Sequence, residues 1–151
     1  MHTAPTLAVT LCACALAWAV VPTAPRVTDA QLVEQACTDY VTAIYDAEPE
    51  RIDRSVHPEL RKAGFWRTEG ATEYPPMSEM TFAELRHLAA TFKGQGHIPD
   101  NAAYAVQVFD VTDKTASAKI TAFWGQDYVH LAKFDDRWQI INIIWQSPPL
   151  E

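Results

Sequence analysis

Four polar side chains of this chain have the chemistry to hold or to act on a small molecule: His57, Tyr128, His130 and Asn142. A histidine with a pKa near neutral pH can serve as a general base or as a hydrogen-bond partner. Tyr128 and His130 are two residues apart on a predicted strand, so they share one face of a sheet, and Asn142 lies on the next strand. If that face points inward, three polar groups converge on an apolar cavity, which is typical of a ligand site.

Each of these residues also has a structural interpretation. His57 precedes Pro58, so it could simply cap the end of a helix, where an imidazole interacts favourably with the helix dipole. Tyr128, His130 and Asn142 would face solvent if the core lay on the opposite face of the sheet. We expect the inward orientation, because both faces of the last predicted strand are apolar.

Aromatic and acidic residues complete the set of candidates. Tyr40 and Tyr45 on the first predicted helix, together with Trp66, are predicted to contact a ligand in the same cavity. A tyrosine could stabilise an oxyanion in isomerase chemistry, but that chemistry also needs a carboxylate base deep in the cavity. Asp127 closely follows Gly125, so we interpret it as a turn residue rather than as that base.

Several classes of function are not supported by the sequence. The five histidines have no H-x-x-x-H spacing and the cysteines form no metal-binding pair, so no metal site is predicted. The chain has neither a glycine-rich phosphate loop nor a G-x-S-x-G motif, and we expect no cofactor. The net charge of −7, without a basic patch, disfavours a nucleic-acid partner.

Residues 1–25 form a separate block, because the first charged residue is Arg26. The apolar residues 7–21 are too few for a bilayer span of about 20 residues, but they fit the hydrophobic region of a secretory signal. Ala17-Trp18-Ala19 offers a cleavage site. The sequence therefore predicts a secreted or periplasmic protein, with a membrane contact only through this segment if it is retained as an anchor. A lipid anchor at Cys14 is a weaker alternative.

The elements that must position the candidate residues begin with helices. Thr28 to Gln31 and Thr81 to Glu84 are capping boxes, which predict the starts of two long helices. Residues 50–56 predict a short helix that stops before Pro58, and residues 58–63 predict one further turn. Cys37 is the one cysteine outside the leader, so we expect no intramolecular disulfide and interpret this residue as a core filler.

The last third of the chain predicts an antiparallel sheet. Period-two alternation and short turns define four strands, at residues 104–112, 115–124, 128–134 and 138–146. Residues 65–68 predict one more short strand, with residues 71–77 as its partner strand or a loop. Helices that cover one face of such a curved sheet give an α+β fold. Its core is expected to unite five residues: Leu32, Tyr40, Leu85, Trp138 and Ile140.

Short sequence segments accompany this order of elements: Tyr40, Tyr45 and Asp46, and residues 56–60, 77–78, 110–112, 116–119, 127–131 and 137–142. Together they resemble the nuclear-transport-factor-2-like superfamily, and within it the family named putative lumazine-binding. The superfamily also contains ketosteroid isomerase, scytalone dehydratase and SnoaL-like cyclases. The resemblance covers residues 29–145 and implies a cone-shaped fold with a ligand cavity at its wide end. Only Asp136 departs from the family pattern, where glycine usually precedes the Arg-Trp pair.

Together these observations predict a single domain over residues 26–151 that binds a small apolar or aromatic molecule in its cavity. The first alternative is an acid–base enzyme of the isomerase, dehydratase or cyclase type, in which His57, Tyr128 and His130 act. The second is an interaction domain without a ligand. Apolar residues on both faces of the last strand, including Ile144, predict that two copies pair through their sheets.

Overall fold

Three α-helices form one layer of the protein, in a computed structural model that describes residues 26–68 and 70–149. The helices are α1 (Asp29–Asp46), α2 (Glu50–Ser55) and α3 (Phe82–Thr91), and a short 3₁₀ helix follows at Lys93–Gln95. Both predicted capping boxes are present, at Thr28 with Gln31 and at Thr81 with Glu84. The leader predicted over residues 1–25 lies outside the described residues. None of the described helices is long and apolar enough to span a membrane.

Six strands form the second layer, as one sheet in the order β2-β1-β6-β5-β4-β3. All neighbouring strands are antiparallel except β1 and β6, which run parallel, so the prediction of an antiparallel sheet was wrong for this pair. The α+β class is confirmed, since the helices pack on one face of the sheet. The strands are β1 (Val56–Phe65), β2 (Ser78–Met80), β3 (Ala105–Val111), β4 (Thr115–Ala122), β5 (Gly125–Phe134) and β6 (Arg137–Gln146).

The segment that starts at His57 is a strand, not the helical turn predicted over residues 58–63. Pro58 does stop the preceding helix, and since it has no N–H to donate, the ladder with β6 is irregular between Val56 and Arg61. From Leu60 onward, alternate side chains are buried in the period of a strand. Of the strand predicted at residues 65–68, only Phe65 belongs to β1, and residues 71–77 form a loop before β2.

A bulge in β6 explains why both faces of this strand look apolar in the sequence. His130 pairs with Asn142 but Leu131 pairs with Ile140, so one residue of β6 is left without a partner. The bulge shifts the alternation by one residue. Trp138 and Ile140 before it, and Ile143 after it, are therefore all buried on the helical side of the sheet.

The core lies between α1, α3 and this inner face of the sheet. Tyr40, Leu85, Trp138 and Ile140 are buried in it together, as predicted, whereas Leu32 is only partly buried at its edge. Cys37 is a buried free thiol, which confirms its interpretation as a core residue.

Candidate functional site

An apolar cavity of about 310 Å³ opens between α1, α3 and the inner face of the sheet. Helix α1 supplies one wall, α3 the opposite one, and β1 and β6 the floor. The lining side chains are mostly aromatic or aliphatic, so the cavity suits an apolar ligand with few polar groups. They are Tyr40, Ile44, Lys62, Trp66, Ser78, Met80, Leu85, Leu88, Phe92, Trp124 and Trp145.

A buried cationic side chain, that of Lys62, interrupts this apolar lining. Lys62 on β1 donates a hydrogen bond of 3.0 Å from Nζ to the hydroxyl oxygen of Tyr40 on α1. The same Nζ lies 3.9 Å from Oδ1 of Asp127 on β5, and the exposed fractions of these two side chains are 6% and 0%. Three elements that are distant in sequence therefore bring an amine, a phenol and a carboxylate together at the cavity wall.

Burial changes the acid–base properties of this cluster. Burial lowers the pKa of the Lys62 ammonium, and the nearby Asp127 carboxylate offsets part of that effect. The pKa of the Tyr40 hydroxyl is raised well above its usual value, first by burial and then by Asp127. Tyr40 consequently remains a protonated donor at all physiological pH values, while Lys62 loses its proton more readily than an exposed lysine.

Two tryptophans surround the cluster. Trp124 donates a hydrogen bond of 3.1 Å from Nε1 to Oδ2 of Asp127, and the Nζ of Lys62 lies 5.1 Å from the ring centre of Trp145. A Cβ atom on Gly64 would come within 2.6 Å of the Trp145 indole, so only glycine at this position leaves the ring where it is. The indoles exclude water from the amine and place aromatic surface beside it.

Two buried polar atoms of the site have no hydrogen-bond partner among the residues that the structure describes. They are Oδ1 of Asp127 and Nε1 of Trp145. An unsatisfied buried donor or acceptor costs about 1–3 kcal/mol, so such atoms need an explanation. One explanation is a polar group of a ligand that completes the set of hydrogen bonds.

Of the residues predicted to bind a ligand, Tyr40 and Trp66 line the cavity. Tyr45 does not line it. Its ring packs edge-on against Trp124, with ring centres 5.6 Å apart, and its hydroxyl donates to the carbonyl oxygen of Ala103 and accepts from the N–H of Phe123. Tyr45 therefore supports the cavity wall from behind.

Tyr128, His130 and Asn142 share one face of the sheet, but it is the open face, so the predicted inward orientation was wrong. The residues on either side of them in β5, such as Val129, point into the core instead. His130 Nδ1 and Asn142 Nδ2 lie 3.1 Å apart on the open face.

His57 also lies away from the cavity. Its ring stacks on Phe134 at a centre-to-centre distance of 4.4 Å, and its Nδ1 accepts a hydrogen bond from the backbone N–H of Glu59. Phe134 and Tyr128 are six residues apart on β5, a distance of about 20 Å along a strand. The three residues proposed as catalytic, His57, Tyr128 and His130, are therefore not brought together around a ligand.

Sequence reasoning missed the two charged residues of the site, Lys62 and Asp127. Asp127, Val129 and Leu131 occupy alternate positions of β5 and so share one face of the sheet. Alternation along β5 could therefore have placed Asp127 on the inner face. The proximity of Gly125 suggested a turn instead. Lys62 could be assigned to the inner face only by recognising β1 as a strand. The described residues contain no group of three or more His, Cys, Asp or Glu side chains that could hold a metal ion.

Comparison with known proteins identifies the fold. A family model described as "Putative lumazine-binding" matches residues 28–146. Among solved structures, an NTF2-like protein of unknown function from Shewanella baltica has 14% sequence identity and a TM-score of 0.62, covering 83% of this chain and 100% of its own. No curated protein sequence matches this chain.

Two further structures have the same fold at similarly low identity. An NTF-2-like protein of unknown function from Silicibacter pomeroyi is 12% identical, with a TM-score of 0.58 and coverage of 80% of this chain and 99% of its own. A structure labelled "Putative Scytalone Dehydratase", from Novosphingobium aromaticivorans, is 13% identical, with a TM-score of 0.54 and coverage of 80% and 85%. At these identities the likeness concerns the fold alone.

Proposed function

Because this chain belongs to the family described as "Putative lumazine-binding", we propose that it binds a small aromatic or apolar molecule in the cavity between α1, α3 and the sheet. The apolar body of the ligand packs between the aromatic side chains of the wall. One polar group of the ligand meets the Lys62 ammonium and the Tyr40 hydroxyl. The ligand is therefore flat, mostly apolar and carries at least one hydrogen-bond acceptor.

The observation that carries this proposal is the buried pair of Lys62 and Asp127 beside an apolar cavity. A buried ion pair is often no more stable than apolar residues of the same volume, because both charges lose their hydration. Folding stability alone gives no reason to place it there. A ligand that needs an oriented positive charge in apolar surroundings gives a reason for the ion pair at this place.

The test is a binding titration with two aromatic probes, lumazine and 2-naphthol. Calorimetry and tryptophan fluorescence measure the binding. Leu88 lines the cavity, and Leu88→Trp fills it, so we expect the affinity for either bound probe to fall by about tenfold or more, which is about 1.4 kcal/mol. Tyr128→Phe is the matched control, since Tyr128 lies on the open face. If Leu88→Trp and Tyr128→Phe affect binding equally, or if neither probe binds, the cavity is not the site. The protein then acts as an interaction domain without a ligand.

A second candidate function, acid–base catalysis, is favoured by Oδ1 of Asp127, which accepts no hydrogen bond from the described residues. A buried carboxylate close to an amine and a phenol is the set that proton abstraction next to a carbonyl group requires. The reaction is tested by NMR, as deuterium exchange at the α-carbon of a bound aromatic ketone. Asp127→Asn should abolish exchange that Tyr128→Phe leaves intact. If Asp127→Asn does not change the exchange rate, catalysis by Asp127 is refuted and ligand binding remains the proposed function.

We propose in addition that the protein is exported and that two copies pair through the open face of their sheets. The charge-free block before Arg26 supports export. Tyr128 and Ile144 are cross-strand neighbours on the open face, with exposed fractions of 43% and 50%, and Phe65 is exposed nearby on β1. An exposed apolar patch of this kind is typical of an interface between subunits.

A further inference from the structure

The cavity contains a primary amine in apolar surroundings, and we propose that Lys62 forms a reversible imine with an aromatic aldehyde or ketone bound there. The inference rests on the proposed function, since it specifies a carbonyl group as the polar end of the ligand. It assigns to Lys62 a covalent bond rather than only a charge.

The position of Lys62 distinguishes it from the other four lysines of the chain. Lys62 is buried and lines the cavity. The other lysines do not line it, and two of them form ion pairs elsewhere, Lys133 with Asp29 and Lys93 with Asp46. Only the neutral amine attacks a carbonyl carbon, and burial lowers the pKa of Lys62, so a larger share of its amine is neutral near physiological pH.

Tyr40 is placed to supply the proton that the reaction needs. Its hydroxyl lies 3.0 Å from the Nζ of Lys62, so a carbonyl oxygen attached to the attacked carbon comes within reach of the phenol. Burial and the Asp127 carboxylate keep this hydroxyl protonated. The proton that the Lys62 ammonium releases can pass to the Asp127 carboxylate, which faces the amine, and from there to Tyr40.

The bonds and protons balance without any further reactant. The Nζ lone pair of neutral Lys62 forms a bond to the carbonyl carbon, and a proton moves from nitrogen to the carbonyl oxygen, which gives a carbinolamine. A second proton reaches this hydroxyl group, the C–O bond breaks, and one water molecule leaves. Overall, the Lys62 ammonium and the carbonyl compound give a protonated imine and water. Since the protonated imine carries the same charge as the ammonium, the ion pair with Asp127 is preserved.

The experiment traps the imine by reduction. The full chain is incubated with 2-naphthaldehyde and cyanoborohydride, and its mass should rise by the mass of the aldehyde less one oxygen atom. Peptide mapping then locates the adduct. We expect at least about a tenfold excess at Lys62 over any other lysine, because a bound carbonyl is presented to this amine at a high effective concentration. 2-Naphthol has no carbonyl carbon, and an excess of it should suppress the labelling by occupying the cavity.

Two variants complete the test. Lys62→Arg keeps a cation beside Asp127 but cannot form an imine, so it should lose the adduct, whereas Lys119→Arg on the open face should keep it. Tyr40→Phe should slow the labelling without changing its position. Equal labelling of all lysines, or no adduct while 2-naphthol still binds, would overturn the imine and leave the proposed function standing. If neither 2-naphthaldehyde nor 2-naphthol binds, the imine is overturned, and the proposed function fails with it only if lumazine does not bind either. Mapping of the unsubstituted chain decides the question even if Lys62→Arg does not fold.

Discussion

Lys62 and Tyr40 are joined by a hydrogen bond of 3.0 Å that links the second strand of the sheet order to the long first helix. Both side chains are buried, and the Asp127 carboxylate lies on the other side of the amine. This contact fixes the polar end of an otherwise apolar cavity. It also makes the stability of the fold depend on the chemistry of the site.

Removal of Lys62 alone should destabilise the protein strongly. Lys62→Met leaves the Asp127 carboxylate buried without its cation, which costs about 3–5 kcal/mol of unfolding free energy. The double variant Lys62→Met with Asp127→Asn removes both charges and should recover most of that loss. Urea unfolding of the three proteins measures the difference. A double variant that is less stable than the single one would show that the two charges are not coupled.

Stability should fall at alkaline pH, partly because of Cys37. Burial raises the pKa of its thiol from 9.0 to about 12. The folded pKa is above the unfolded one, so this contribution is fully present below pH 9.0 and is lost as the pH rises towards 12, by up to about 4 kcal/mol. Cys37→Ala should therefore show a shallower loss of stability between pH 9 and pH 11 than the parent protein. If the unfolding free energies of the two proteins fall in parallel with rising pH, the prediction is contradicted, even if one protein is more stable than the other throughout.

The register of α3 can be tested at Leu85. Its side chain is fully buried against the sheet, and Leu85→Ala should cost about 2–5 kcal/mol, as large-to-small changes in a core do. Ile144→Ala on the open face is the control and should change the unfolding free energy by less than about 0.5 kcal/mol in a monomer. Similar costs for both changes would mean that the assignment of inner and outer faces is incorrect.

Pairing through the sheet predicts that a charge on the open face separates the subunits. Ile144→Lys places an ammonium group in the exposed patch, and we expect the sedimentation coefficient to fall to that of a monomer. Probe binding in the cavity should be unaffected, because Ile144 points away from it. A parent protein that already sediments as a monomer would refute the pairing.

Export predicts a shortened mature chain. Intact-mass analysis of protein from the native host should show the loss of roughly the first 19–25 residues, in accordance with the signal-peptide rules. Fractionation of the same cells supplies the control. Detection of the full-length chain solely in the cytosol would remove the proposal.

The elements of this fold were more predictable from the sequence than the site was. Both capping boxes and the four C-terminal strands could be assigned, because local hydrogen bonds and alternation determine them. The strand after Pro58 could not be assigned, since it forms by pairing with segments that are distant in sequence, β2 on one side and β6 on the other. A helical turn is the better local choice for residues 58–63, and a distant partner overrides it.

The choice between the two faces of the sheet failed for a related reason. A bulge in β6 shifts the apolar alternation by one residue. The residues around Ile141 contain no sequence signal that predicts this bulge. Tyr128 and His130 were therefore assigned to the wrong side of the sheet, whereas Asp127 was assigned to a turn because it lies close to Gly125. Tyr40 was found because its place on the apolar stripe of α1 is a local property.

The parallel pairing of β1 with β6 has a consequence for the order of events on the ribosome. β6 is the last strand to be made, yet it lies between β1 and β5 in the sheet. Until β6 emerges, the β1–β2 pair and the β3–β4–β5 meander share no backbone hydrogen bonds within the sheet. Contacts of such long sequence separation form slowly. The cavity thus closes only after β6 has been made and has inserted between β1 and β5.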